Sequence, residues 1–215
     1  MIFGWDISTS VVGLSVLKND GTWVESSYFD FGSMAKGAKN IYSKMKQCEW
    51  WIEDRLKKYK DDPDGHMHFF EDRLANFSKG FTRLQTLMML AAFNAMFSYR
   101  VLQVHSILAS SLTPDIAYSH LHPSTVKATM KKEGLIIPKG SDKKQMTLHF
   151  VRRTVQQFPV EYTRTGTPKP FCYDMADAFI VARAGYLRKY LSKNAKGKEV
   201  ESLEDDSGPG DDIEG

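Results

Sequence analysis

Residues 2–17 read IFGWDISTSVVGLSVL, and their order decides the fold. Two apolar stretches, 2–5 and 11–17, have strand character and are joined by the short hydroxyl-rich turn ISTS. Asp6 stands at the mouth of the first stretch, where a core residue would otherwise be expected. A carboxylate there is either a turn residue bonding its own backbone or a group placed to hold something beyond the strand.

Working outward, Asn19-Asp20-Gly21 signals a turn into a third strand through TWVESSYFDFG. The stretch NIYSKMKQCEWWIEDRLKKY, residues 40–59, has apolar side chains at helical spacing and a basic end, so it is predicted as an amphipathic helix. MHFFE, residues 67–71, is predicted as a buried strand that ends on a second carboxylate, Glu71. The segment from Phe81 onward, FTRLQTLMMLAAFNAMFSYRVLQVHSILASSL, is read as one long buried helix or a broken pair, its methionines filling core gaps. DIAYSHL is a candidate strand. HPSTVKATMKKEG opens on a proline and a hydroxyl cap and is predicted as a short helix. KGSDKKQMTLHFVRRTVQQF carries a start signal followed by helical periodicity, EYTRTGTPKP is a loop, and YDMADAFIVARAGYLRKYL is a strong final helix. Strands interleaved with helices give an α/β domain.

The 215 residues are 42% hydrophobic and 12% aromatic, enough for a substantial core. No uninterrupted apolar run reaches the roughly 18 residues that span a bilayer. Two cysteines without metal-type spacing, and an N-terminus that lacks signal-peptide order, lead us to expect a reduced, cytoplasmic protein. The net charge of +3 hides an asymmetry: residues 192–215 hold eight acidic groups against three lysines, leaving the first 191 residues at +8. We therefore expect one folded domain over 1–191 and an acidic disordered tail over 192–215. A basic body suits a polyanionic partner such as nucleic acid.

Asp174 and Asp177 sit three apart at the start of the final helix, so they share a face. Each acid has a plain alternative: Asp6 as a turn residue, Glu71 paired with Arg73, the two aspartates as first-turn charges favoured by the helix dipole. Together they make another case. Strand ends in an α/β sheet point into one crevice, and four carboxylates there would repel unless a cation neutralised them. Oxygen-only ligands select hard ions such as Mg²⁺ or Mn²⁺. Two such ions can activate water and stabilise a leaving oxygen at a phosphodiester.

The segments GWDISTSVVGLSVL, the strand-ending Glu71, HPSTVKATMKKEG with GSDKKQM, and YDMADAFIVARA resemble RuvC-type Holliday-junction resolvases of the ribonuclease-H-like superfamily, in order and spacing from Met1 to about Leu191. The compact basic chain looks like the phage-encoded branch, which would place it in a bacterial host's cytoplasm. The resemblance implies a ribonuclease-H-like mixed sheet flanked by helices, and a two-metal, Mg²⁺-dependent endonuclease resolving four-way junctions and other branched DNA. It implies that Asp6 bridges both metals, that Glu71 binds one and handles the water, and that Asp174 and Asp177 complete the site. It also implies a homodimer packed through the segment after Glu71, and phosphate-backbone contacts from Lys127, Lys143 and Lys144. Lys79 and Arg83, with Lys131, Lys132, Lys139, Arg152 and Arg153, are further DNA-binding candidates on charge. The family's aromatic wedge, three residues past the glutamate, falls on Leu74 here, with Phe77 nearby. A non-catalytic DNA-binding or packaging module that retains the fold is the alternative function. An actin-like kinase would need a second phosphate-binding turn and lobe that the chain is too short to provide.

Overall fold

The structure, a computed structural model, describes residues 1–32, 41–62, 65–72, 81–109 and 116–204, with side chains left undescribed over 81–86 and 190–204. Among the described residues, five strands and five helices follow in the order β1 (Ile2–Ile7), β2 (Val11–Leu17), β3 (Trp23–Asp30), α1 (Ile41–Lys57), β4 (His66–Glu71), α2 (Phe81–Leu108), β5 (Ile116–Leu121), α3 (Pro123–Lys132), α4 (Lys143–Thr154) and α5 (Pro170–Glu204). The expected elements are all present, and the long apolar segment is one unbroken helix rather than a pair. The final helix continues to Glu204, so the backbone of residues 192–204, read from the sequence as tail, is helical.

The strands form one sheet in the order β3-β2-β1-β4-β5. β1, β2 and β3 are antiparallel neighbours, whereas β4 and β5 run parallel to β1. The sheet is mixed because β1–β2–β3 is a meander on short turns, while β4 and β5 return only after helical crossovers.

Strand alternation sorts the side chains into two cores. Phe3, Trp5 and Ile7, with Val12, Leu14, Val16 and Phe70, meet α1 and α2 on one face. Ile2, Leu17 and Phe69 meet α3, α4 and α5 on the other. In this period-two pattern Gly4 and Asp6 share the α5 face of β1, and Met67, Phe69 and Glu71 share it on β4. The α1/α2 core holds a polar knot: Trp5 Nε1 donates to His68 Nδ1 at 3.1 Å, and His68 Nε2 lies 2.7 Å from His105 Nδ1. Burial holds His66 and His105 well below the usual imidazole range, at about 4 and about 3. These histidines are neutral packing groups.

Leu87–Leu108 of α2 is long and apolar enough, by length and composition, to cross a membrane. Its inner face instead fills the core with Phe93, Phe97 and Val101, all fully buried. Core helices of this kind meet the same criterion.

Candidate active site at the carboxyl ends of β1 and β4

β1 and β4 run in parallel register with Trp5 opposite Phe70. One step further, Asp6 stands opposite Glu71 on the same face and at the same end of the sheet. Asp6 is 1% exposed. The turn that follows is fastened tightly: Ser8 Oγ donates to Val11 O at 2.7 Å and accepts from Val11 N at 3.0 Å. From α1, the buried Lys44 ammonium donates to the Thr9 carbonyl. Sequence reading missed Lys44, because nothing in an amphipathic pattern marks one lysine as inward-facing.

Two glycines set the height of α5 above the sheet. A Cβ on Gly4 would lie 2.3 Å from Ala178 O and 2.4 Å from Ala182 N, and one on Gly13 would lie 2.3 Å from Asp174 O. Gly13 is the register partner of Asp6. Two residues along a strand advance about 6.6 Å, which equals about four residues of helix at 1.5 Å each. If Gly4 sits beneath the 178–182 turn, Asp6 therefore lies level with the turn that carries Asp174 and Asp177.

Glu71 feels that turn directly. Burial, and then the charge of Asp177, push its carboxyl up to about 7, with Lys127 pulling the other way. A cavity of about 190 Å³ gathers Glu71, Asp177, Lys127, Lys143, Lys144 and Thr147. Lys144 Nζ lies 3.6 Å from Asp174 Oδ1. Lys143 and Lys144 are held there by the α4 N-cap, where the Asp142 carboxylate accepts from Lys144 N at 2.9 Å. Lys127 arrives on α3, whose cap is His122, its ring accepting from Ser124 N at 3.2 Å. His122 thus has a structural role at the head of α3.

Behind the sheet, the buried Asn94 of α2 donates from Nδ2 to the Glu71 carbonyl at 3.1 Å, and Ser98 Oγ donates to Asn94 Oδ1 at 3.3 Å. The Asn–Ser pair at i, i+4 within an apolar helix was the available signal for this support.

The sequence-expected acids therefore come to one end of the fold, with Lys127, Lys143 and Lys144 around them. Among the described residues, no three histidine, cysteine or carboxylate side chains stand close enough to enclose a single ion. The donor set nonetheless fits a hard cation: carboxylate oxygens only, one acid fully buried and another driven towards neutrality by burial and then by a neighbouring charge. Lys79 and the candidate wedge positions Leu74 and Phe77 lie outside the described residues, as does the side chain of Arg83.

No family model and no curated protein sequence matches the chain. Solved structures do. The RuvC structure of Thermus thermophilus superposes with a TM-score of 0.55 at 14% identity, covering 88% of this chain and 96% of that one. T. thermophilus RuvC in complex with a Holliday junction substrate superposes at 0.51 and 12%, covering 87% and 94%. The fold is RuvC-like. The expected ribonuclease-H-like mixed sheet with flanking helices is the architecture observed. In this RuvC-like frame, Asp6 and Glu71 end two adjacent strands and α5 carries the other two acids across them.

Proposed function

We propose that the chain is a Mg²⁺-dependent, structure-selective endonuclease that cuts branched DNA, four-way junctions above all. The observation carrying this reading is the meeting of Glu71 and Asp177 in a cavity whose other charged walls are Lys127, Lys143 and Lys144. Carboxylates and ammonium groups in one crevice suit a phosphodiester bound beside hard cations. The RuvC-like fold and the junction carried by one structural neighbour are consistent with it.

Asp6, Glu71, Asp174 and Asp177 would hold the metal, Mg²⁺ or Mn²⁺, at two ions per site. Two ions supply water activation and leaving-oxygen stabilisation when bound. Lys127 and Lys143 hold the non-bridging oxygens and backbone of the scissile strand. Lys144, paired with Asp174, exchanges this carboxylate for a phosphate when DNA enters. Glu71, ionised once cations offset Asp177's charge, would orient the attacking water and take up its proton. Strand cleavage leaves a 5′-phosphate and a 3′-hydroxyl.

The chain acts as a homodimer in this reading, so that two sites face a twofold-symmetric junction. Its support is the outer face of α2, where Met88, Met89 and Ile107 are 62%, 46% and 72% exposed. A non-catalytic DNA-binding module is the second reading, favoured by the Lys144–Asp174 pair, which supplies counter-charge without a metal. Incubating a synthetic four-way junction with Mg²⁺ and native or Asp6→Asn chain separates the two. Symmetric nicking by the native chain alone supports the nuclease, and binding without nicking supports the module.

A further inference from the structure

A second groove lies along α4. Gln145, His149 and Arg152 stand at i, i+4 and i+7, one stripe of that helix, and form one wall. The opposite wall is a small hairpin closed by the Tyr162–Pro168 bridge and by Thr163 N donating to Thr167 O at 2.8 Å. The hairpin is fastened at its base, where Lys169 N donates to Glu161 O at 2.8 Å and Glu161 N donates to Cys172 Sγ at 3.3 Å. The space between the walls is about 330 Å³, and Tyr162 and Tyr173 present rings to it.

Both walls adjoin the candidate active site in sequence. Gln145 follows Lys144, Tyr173 precedes Asp174, and Lys144 touches Asp174 at 3.6 Å. From Lys144 to Arg152 is eight residues of helix, about 12 Å. That length spans roughly three to four nucleotides at about 3.4 Å per stacked step. Among the described residues lining the groove there is no carboxylate, while His149 and Arg152 offer donors and the tyrosines offer flat apolar faces. Rings beside a cation, in a groove whose walls adjoin the acid cavity's lining residues in sequence, are the components of a single-strand platform.

We infer that this groove holds the nucleotide flanking the scissile phosphate, with its unpaired base on Tyr162 and its backbone on Arg152. The inference rests on the nuclease reading for the word scissile, but occupancy of the groove by DNA stands apart from cleavage. Gln145 and His149 line the base and make the groove the place where local sequence preference is read.

The test uses the full chain and a synthetic four-way junction carrying 2-aminopurine at successive positions of one strand, in metal-free buffer. One position shows a large fluorescence change on binding. Tyr162→Ala abolishes that change and weakens binding about tenfold, whereas Tyr162→Phe preserves both. Arg152→Ala weakens binding and keeps the fluorescence change. Native fluorescence and affinity in Tyr162→Ala overturn the inference even if the native chain nicks with Mg²⁺. A Tyr162-dependent signal from a native chain that never nicks overturns the nuclease reading and leaves the groove standing.

Discussion

Gly13 lies so close to Asp174 that a Cβ at the glycine would stand 2.3 Å from the aspartate's carbonyl oxygen. The neighbour is helix backbone, which cannot rotate aside as a side chain would. The second turn of α5, with Asp174 and Asp177, is therefore set by the missing side chain on the strand next to Asp6.

Gly13→Ala must lift that turn. Overpacking of this kind costs about 1–3 kcal/mol, or roughly 2–12 °C in melting temperature for a domain of this size. Nicking activity is expected to fall further than the stability loss explains, because Asp174 and Asp177 move together. Thermal melts paired with single-turnover cleavage well below the melting point check it; a destabilised variant with native rate would separate the helix seat from the site.

Glu71 makes the metal-free protein pH-sensitive. Its ordinary value is 4.5 and burial beside Asp177 raises it to about 7, so the folded state holds the proton more tightly. Its contribution to stability is fully present below about 4.5 and is lost as pH rises through 7. Glu71→Gln removes that dependence. The native chain is expected to lose on the order of 2 kcal/mol relative to Glu71→Gln between pH 5 and pH 8. Denaturant titrations of both at several pH values measure it, and parallel curves would contradict the raised value.

Lys144 is one charge of the proposed backbone grip. Lys144→Met is expected to lower the slope of log affinity against log salt by about one and to weaken junction binding across all sequences alike. Fluorescence anisotropy at several salt concentrations reads this. An unchanged slope would leave Lys144 as Asp174's partner alone.

Asn94 supports Glu71 from behind through its backbone. Asn94→Leu leaves that carbonyl without its side-chain donor and removes the acceptor of Ser98, a loss of about 1–3 kcal/mol. Melts on the variant check the cost, with Ser98→Ala as the milder companion.

The exposed apolar face of α2 makes the dimer testable as well. Ile107→Glu is expected to leave the melting temperature nearly unchanged at low concentration while shifting sedimentation from dimer to monomer. A native chain that sediments as a monomer would contradict the twofold arrangement.

The acids were legible because each ends an element whose own pattern is clear: Asp6 after an apolar strand, Glu71 after HFFE, Asp174 and Asp177 at the head of a helix with an apolar face. Local periodicity carries that much. It does not carry contacts between distant elements. The inward Lys44, the Asn94 support and the Gly13–Asp174 contact, 161 positions apart, depend on how α1, α2 and α5 lie on the sheet. The hairpin over 161–169 reads as plain loop because its closure is a single bridge plus side-chain anchors, too short for alternation to register.

The most direct measurement is nicking of a synthetic four-way junction in Mg²⁺ by native and Asp6→Asn chains at matched junction occupancy. Asp6 is buried opposite Glu71 and level with α5's acids, so removing its charge should abolish symmetric nicking while junction affinity persists. Equal nicking by the two chains would contradict a site built on these carboxylates.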